Sequence, residues 1–97
     1  MEQEQPKQLQ IKVSNDDVRG RYSNLMRISH GKEEFVLDFF SVFPPAGALV
    51  SRIIVSPGHL KRMANVLGTT LKNYETQFGN VEPSKEPEGK IGFASGN

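Results

Sequence analysis

The 97-residue sequence has no cysteine, which excludes a disulfide framework and any thiolate metal site. The absence fits a reducing compartment. Long apolar runs are missing too, and the chain opens on Met-Glu-Gln-Glu-Gln, opposite in character to the basic start of a secretory signal. A soluble, cytoplasmic protein is the expectation. Histidine occurs only twice, at His30 and His59, which leaves few bases for catalysis. Acidic side chains are absent from Phe39 to Tyr74, a stretch that carries Arg52, Lys61, Arg62 and Lys72. From Arg19 to Tyr74, eight basic residues stand against three acidic ones, an imbalance hidden by the formal net charge of +1. A basic body attracts polyanions and is also kept soluble by its charge.

What is present is periodic. QLQIKV (residues 8–13) alternates Leu9, Ile11 and Val13 with Gln10 and Lys12, the period of a half-buried strand. SNDD has turn or helix-cap chemistry, and Gly20 precedes a second strand in RYSNLMRISH. HGKE reads as a tight hairpin, with Gly31 supplying positive φ. EFVLDFFSVF is apolar on both faces, as a central covered strand is. Pro44 and Pro45 end it, since neither donates to a ladder. ALVSRIIV is the fourth strand.

A helix follows, with Leu60, Met63, Leu67, Leu71, Tyr74 and Phe78 spaced by three or four residues. Gly79 suits its C-terminal cap, and Gly68 in its middle suggests close approach to the sheet. The expected architecture is α+β: a four-stranded antiparallel meander and one long C-terminal amphipathic helix packed on one sheet face. Residues 8–79 form the domain, between disordered segments at 1–7 and 80–97. Ile91 and Phe93 read as stray apolar residues.

The sheet then has one apolar face too many. With the second and third strands turning at Gly31–Lys32, Ile28 faces Phe35 and Met26 faces Leu37. With Phe39 opposite Ser51, Leu37 meets Ile53 and Phe35 meets Val55. The helix is expected on this first face. The second face holds Leu25, Val36, Phe40, Val42, Val50 and Ile54, with Val50 beside Phe40 and no second helix to cover them. An uncovered apolar face marks an interface, so a homo-oligomer packed through these residues is expected, most simply a two-fold dimer. Asp38 and Arg52 sit cross-strand there, as an ion pair that fixes register.

LQIKVS, YSNLMRISHGKEEFVLDF, SRIIVSPGHLKRMANVL and NYETQFG together resemble a family of small prokaryotic proteins that carries only a domain-of-unknown-function label. The likeness spans about residues 8–79 and brings no functional residue with it. The element order is also similar to the SecB export chaperone, a tetramer that holds unfolded chains on apolar grooves, although the second long helix of that fold is missing.

Chemistry is thin. His30 with Glu33 and Glu34 is the one local cluster of metal-ligand type, and polar surface is its simpler reading. No phosphate loop, dinucleotide fingerprint or acid/base pair of carboxylates occurs. A non-enzymatic protein without cofactor is expected, acting as an interaction or assembly module toward itself and an unidentified protein partner. The alternatives are nucleic-acid binding through Arg21, Arg27, Arg52, Lys61, Arg62 and Lys72, with Tyr22, Phe39 and Phe40 for stacking, or a SecB-like chaperone. At the helix start, Ser56 is a preferred N-cap and Pro57 suits the first position. His59, Lys61 and Arg62 form a candidate anion site there, since cations near a helix N-terminus oppose the macrodipole.

Overall fold

The ladder of strands begins later in the chain than the alternation does. The computed structural model describes residues 8–89 and 92. Its elements are α1 (Asn15–Arg19), β1 (Leu25–His30), β2 (Phe35–Phe43), β3 (Ala46–Val55) and α2 (Pro57–Phe78). The strands form one antiparallel sheet in the order β1-β2-β3. The α+β class with a C-terminal helix holds, with three strands in place of four among the described residues. Residues 1–7, and the part of the expected C-terminal disorder that includes Ile91 and Phe93, lie outside the described residues.

The missing strand is QLQIKV. Residues 8–14 run without helix or strand, and Leu9, Ile11 and Val13 are exposed. Alternation expresses a preference for a pleated surface, but a ladder also requires an edge to pair with. At β1 the Met26 carbonyl accepts from Arg27 Nη1, and that guanidinium is held in turn by Glu86. SNDD becomes the N-terminus of α1: Ser14 Oγ accepts from the Asp17 amide, and Gly20 ends the helix at φ 76°. β1 starts at Leu25 rather than Arg21 because the Asn24 side chain takes over the pairing. Its Nδ2 donates to the Val42 carbonyl at 2.8 Å, and the Val42 amide donates to its Oδ1 at 2.9 Å.

The hairpins differ in detail from the expected ones. His30 pairs with Phe35, so β1 and β2 are joined by four residues, closed by the Gly31 amide donating to the Glu34 carbonyl. This longer loop leaves Gly31 outside the positive-φ region. It also shifts the register by two, so that Ile28 faces Leu37 and Met26 faces Phe39, which preserves the expected faces. β2 and β3 turn through Pro44 and Pro45, joined by a cis peptide. Phe35 faces Val55, Leu37 faces Ile53 and Phe39 faces Ser51, as the spacing predicts. A bulge then intervenes, so Phe40 pairs with Leu49 and not Val50. The extra residue is Val50, and Leu49 moves from the first face to the second.

Among the described residues, Leu25, Leu37, Phe40 and Val55 are the buried apolar ones. That is a small core, and α2 contributes no buried residue to it. The accessible surface is 9447 Å², against about 5,500 Å² for a compact monomer of this mass. The radius of gyration is 17.9 Å, against about 12.5 Å for a compact domain of this length. The exposed residues 8–23 and the uncovered helix both contribute to the difference.

Candidate functional site

The helix α2 carries a regular stripe of exposed apolar side chains. α2 is well specified locally: Ser56 Oγ accepts from the His59 amide at 3.1 Å, and Pro57 occupies the first turn. The far end is closed by Gly79 at φ 97°, whose amide donates to the Glu75 carbonyl at 2.8 Å. Such caps contribute about 1 kcal/mol each and fix the length of the helix. They do not supply a surface for the stripe. Leu60 and Met63 are half-buried at the sheet end, but Leu67 is 67% exposed, Leu71 50%, Tyr74 51% and Phe78 65%. The expected packing of α2 on its own sheet is therefore not formed beyond its first two turns.

The joint gives the reason. β3 ends at Val55 and α2 begins at Pro57, so one residue connects them. Ser56 is extended, at φ −71° and ψ 157°, and the ring of Pro57 fixes the next φ. Strand-to-helix loops that return a helix over its sheet use about two to six residues. The single residue here is shorter than that range, and the stripe stays exposed from Leu67 onward. Gly68 follows suit: a Cβ there meets nothing within 4 Å, so the glycine makes no close approach to the sheet.

The two faces of the sheet differ chemically. From the register, the first face carries Met26, Ile28 and His30 of β1, then Phe35, Leu37 and Phe39 of β2, then Ser51, Ile53 and Val55 of β3. No carboxylate, lysine or arginine lies among them. Met26 is 42% exposed, Ile28 47% and Ile53 45%. The second face is partly used. Of the residues expected at an interface there, Leu25 and Phe40 are buried, Val36, Val42 and Val50 are half-buried, and Ile54 is exposed.

That second face also carries the charge. Arg52 reaches Asp38 through both oxygens, Nε to Oδ1 at 2.6 Å and Nη2 to Oδ2 at 2.9 Å. The hydrogen bond from Arg52 holds the Asp38 carboxyl below its ordinary value, and the same bond raises Arg52. Planar bidentate pairing of this kind favours one strand alignment over its neighbours. Arg27 bonds Glu86 at 2.8 Å.

The remaining sequence candidates are dispersed. Arg27 and Arg52 are paired with carboxylates, so two of the six proposed nucleic-acid contacts are neutralised. Phe40 is buried and Phe39 half-buried, while Tyr22 stacks on Phe43 with ring centroids 6.0 Å apart. At the start of α2, the His59 amide is satisfied by Ser56, and His59 Nδ1 lies 3.2 Å from Arg62 Nη2. His30 packs on Phe35 at 5.1 Å and places Nδ1 3.2 Å from the Gly31 carbonyl. Among the described residues no group of three His, Cys, Asp or Glu is gathered to hold a metal ion. No helix among them is long and apolar enough to cross a membrane. Sequence reasoning placed the helical stripe correctly but covered it; the signal it passed over was the single residue between IIV and the helix-starting Pro57.

Residues 1–83 match a family model described as "Protein of unknown function (DUF3467)". No curated protein and no solved structure matches the chain.

Proposed function

We propose that this chain, which belongs to the DUF3467 family, is a non-enzymatic self-associating assembly module with α2 as its association surface. The observation that carries this reading is the exposure of Leu67, Leu71, Tyr74 and Phe78 along one helical stripe. A two-sided amphipathic pattern is stable in water only when its apolar side is covered, and an isolated helix gains little from propensity alone. The spacing supports a particular kind of cover. From Leu60 to Phe78 the steps average 3.6 residues, the period of a straight helix on a globular surface, rather than the 3.5 of a left-handed supercoil. The second face is the weaker candidate, because its centre at Leu25 and Phe40 is already covered. Polyanion binding is weaker as well, since Arg27 and Arg52 are engaged.

Sedimentation equilibrium at micromolar concentration tests the reading. A dimer or higher assembly is expected; a single monomeric species from low to high micromolar concentration overturns it.

A further inference from the structure

We infer that residues 8–13 of a second copy add a fourth strand to the free edge of β3. The inference goes beyond the stripe of α2, which it does not use. QLQIKV alternates as a strand does, yet Leu9, Ile11 and Val13 are exposed. Among the described residues, none makes a hydrogen bond to this segment. A strand pattern without a ladder lacks an edge to pair with.

The sheet has two edges, and they differ. The chain enters the sheet at β1, where Arg27 Nη1 donates to the Met26 carbonyl and Glu86 holds the guanidinium in place. That edge is obstructed. At β3 the free groups can be counted. The Gly31 amide donates to the Glu34 carbonyl, and hydrogen-bonded pairs alternate along an antiparallel ladder. Val36, Asp38 and Phe40 therefore turn their backbone groups toward β1, while Phe35, Leu37 and Phe39 turn theirs toward Val55, Ile53 and Ser51. The amides and carbonyls of Arg52 and Ile54 point outward, and among the described residues no hydrogen bond reaches them. From Ser51 to Val55 the register is regular. No proline or lysine guards this stretch, and its one charge, Arg52, is held by Asp38.

Side chains decide which way the added strand faces. Opposed residues on neighbouring strands share a face. On the second face, at this edge, Ile54 is 56% exposed and Leu49 46%. With Leu9, Ile11 and Val13 on that face, they meet Ile54 and Leu49, and Lys12 falls on the other side of the sheet from Arg52. Turned over, the strand would bring Lys12 and Arg52 together as like charges. Each contact gains about four ladder bonds from Arg52 and Ile54, and a reciprocal pair gains about eight. That lies within the about 5–15 direct hydrogen bonds of a specific interface. Returned by the second copy, the same contact closes a pair and leaves neither β3 edge open.

The absence of cysteine lets one spin label be placed without competition. Gln10→Cys carries a nitroxide on the polar side of the segment, and these chains are mixed in equal amounts with isotope-labelled chains that lack the substitution. Amide NMR of the labelled chains then reads contacts between copies. The expected result is broadening strongest at Arg52 and Ile54, and weaker at Met26 and Ile28 of β1. Ile11→Pro, in a segment outside the ladder, is expected to abolish the broadening and to speed hydrogen exchange at both β3 amides by about tenfold or more. Exchange and broadening unmoved by Ile11→Pro overturn strand donation. A dimer in sedimentation whose β3 amides broaden only where label and isotope share a chain also overturns it, and leaves the α2 reading standing. Broadening that persists in Leu71→Ala with an unchanged dissociation constant keeps strand donation and overturns the α2 stripe. A monomer in sedimentation overturns both.

Discussion

Replacing Leu71 by alanine separates folding of the helix from its association. Alanine is the best helix former, so the substitution leaves the propensity of α2 intact. In the single chain Leu71 is already half exposed, at 50%, and no cavity is created by shortening it. Full burial of a leucine is worth about 1.5–3 kcal/mol, so the half still to be buried on association is worth about 0.75–1.5 kcal/mol per copy. A symmetric dimer loses this twice, about 1.5–3 kcal/mol. At 1.4 kcal/mol per decade, the dissociation constant rises about 10- to 150-fold. Sedimentation equilibrium or concentration-dependent fluorescence anisotropy reads the constant, and circular dichroism confirms that helix content in the fully assembled state is unchanged. A dissociation constant within twofold of the parent, with helix content preserved, refutes the assignment of the stripe.

Other substitutions test the local physics. Gly68→Ala adds a methyl group where nothing lies within 4 Å, and is expected to stabilise the protein to urea by about 1 kcal/mol. Ser56→Ala removes the acceptor of the His59 amide, and is expected to lower stability by about 1 kcal/mol in the same assay. The Asp38 carboxyl is held below its ordinary value by Arg52. Stability from that pair is therefore fully present above the unfolded-state value and is lost as pH falls through the lower folded one. Urea midpoints from pH 7 down to pH 2 are expected to show this loss at the acid end, with a shallower fall in Asp38→Asn.

Much of the fold was legible because the relevant signals are local. Ser56-Pro57 and Gly79 bracket α2 by cap chemistry that depends on neighbours a few residues away. The three-four spacing from Leu60 to Phe78 identifies its apolar side without reference to any partner. The pairing of Phe35, Leu37 and Phe39 with Val55, Ile53 and Ser51 follows from the short proline turn. What was not legible depends on something outside the segment. QLQIKV has the period of a strand, but whether it pairs depends on an available edge, and Arg27 with Glu86 occupies part of the one at β1. The extra residue at Val50 is invisible to alternation, which reads evenly through it. The apolar stripe of α2 was legible as a set of residues, and its cover was not, because periodicity says which side of a helix is apolar and not what it rests on.

The short joint before α2 also sets an angle. Each helical residue turns the axis by about 100°, and an apolar stripe is about 100° wide. One residue gained or lost between Ser56 and Leu60 would rotate Leu67, Leu71, Tyr74 and Phe78 together by a full stripe width relative to β3. Composition, charge and helix propensity would barely change. Three or four residues would restore the bearing and move the stripe outward by about one turn, 5.4 Å. The segment from Ser56 to His59 therefore acts as the keyway between strand and helix, and it is more sensitive to length than to sequence.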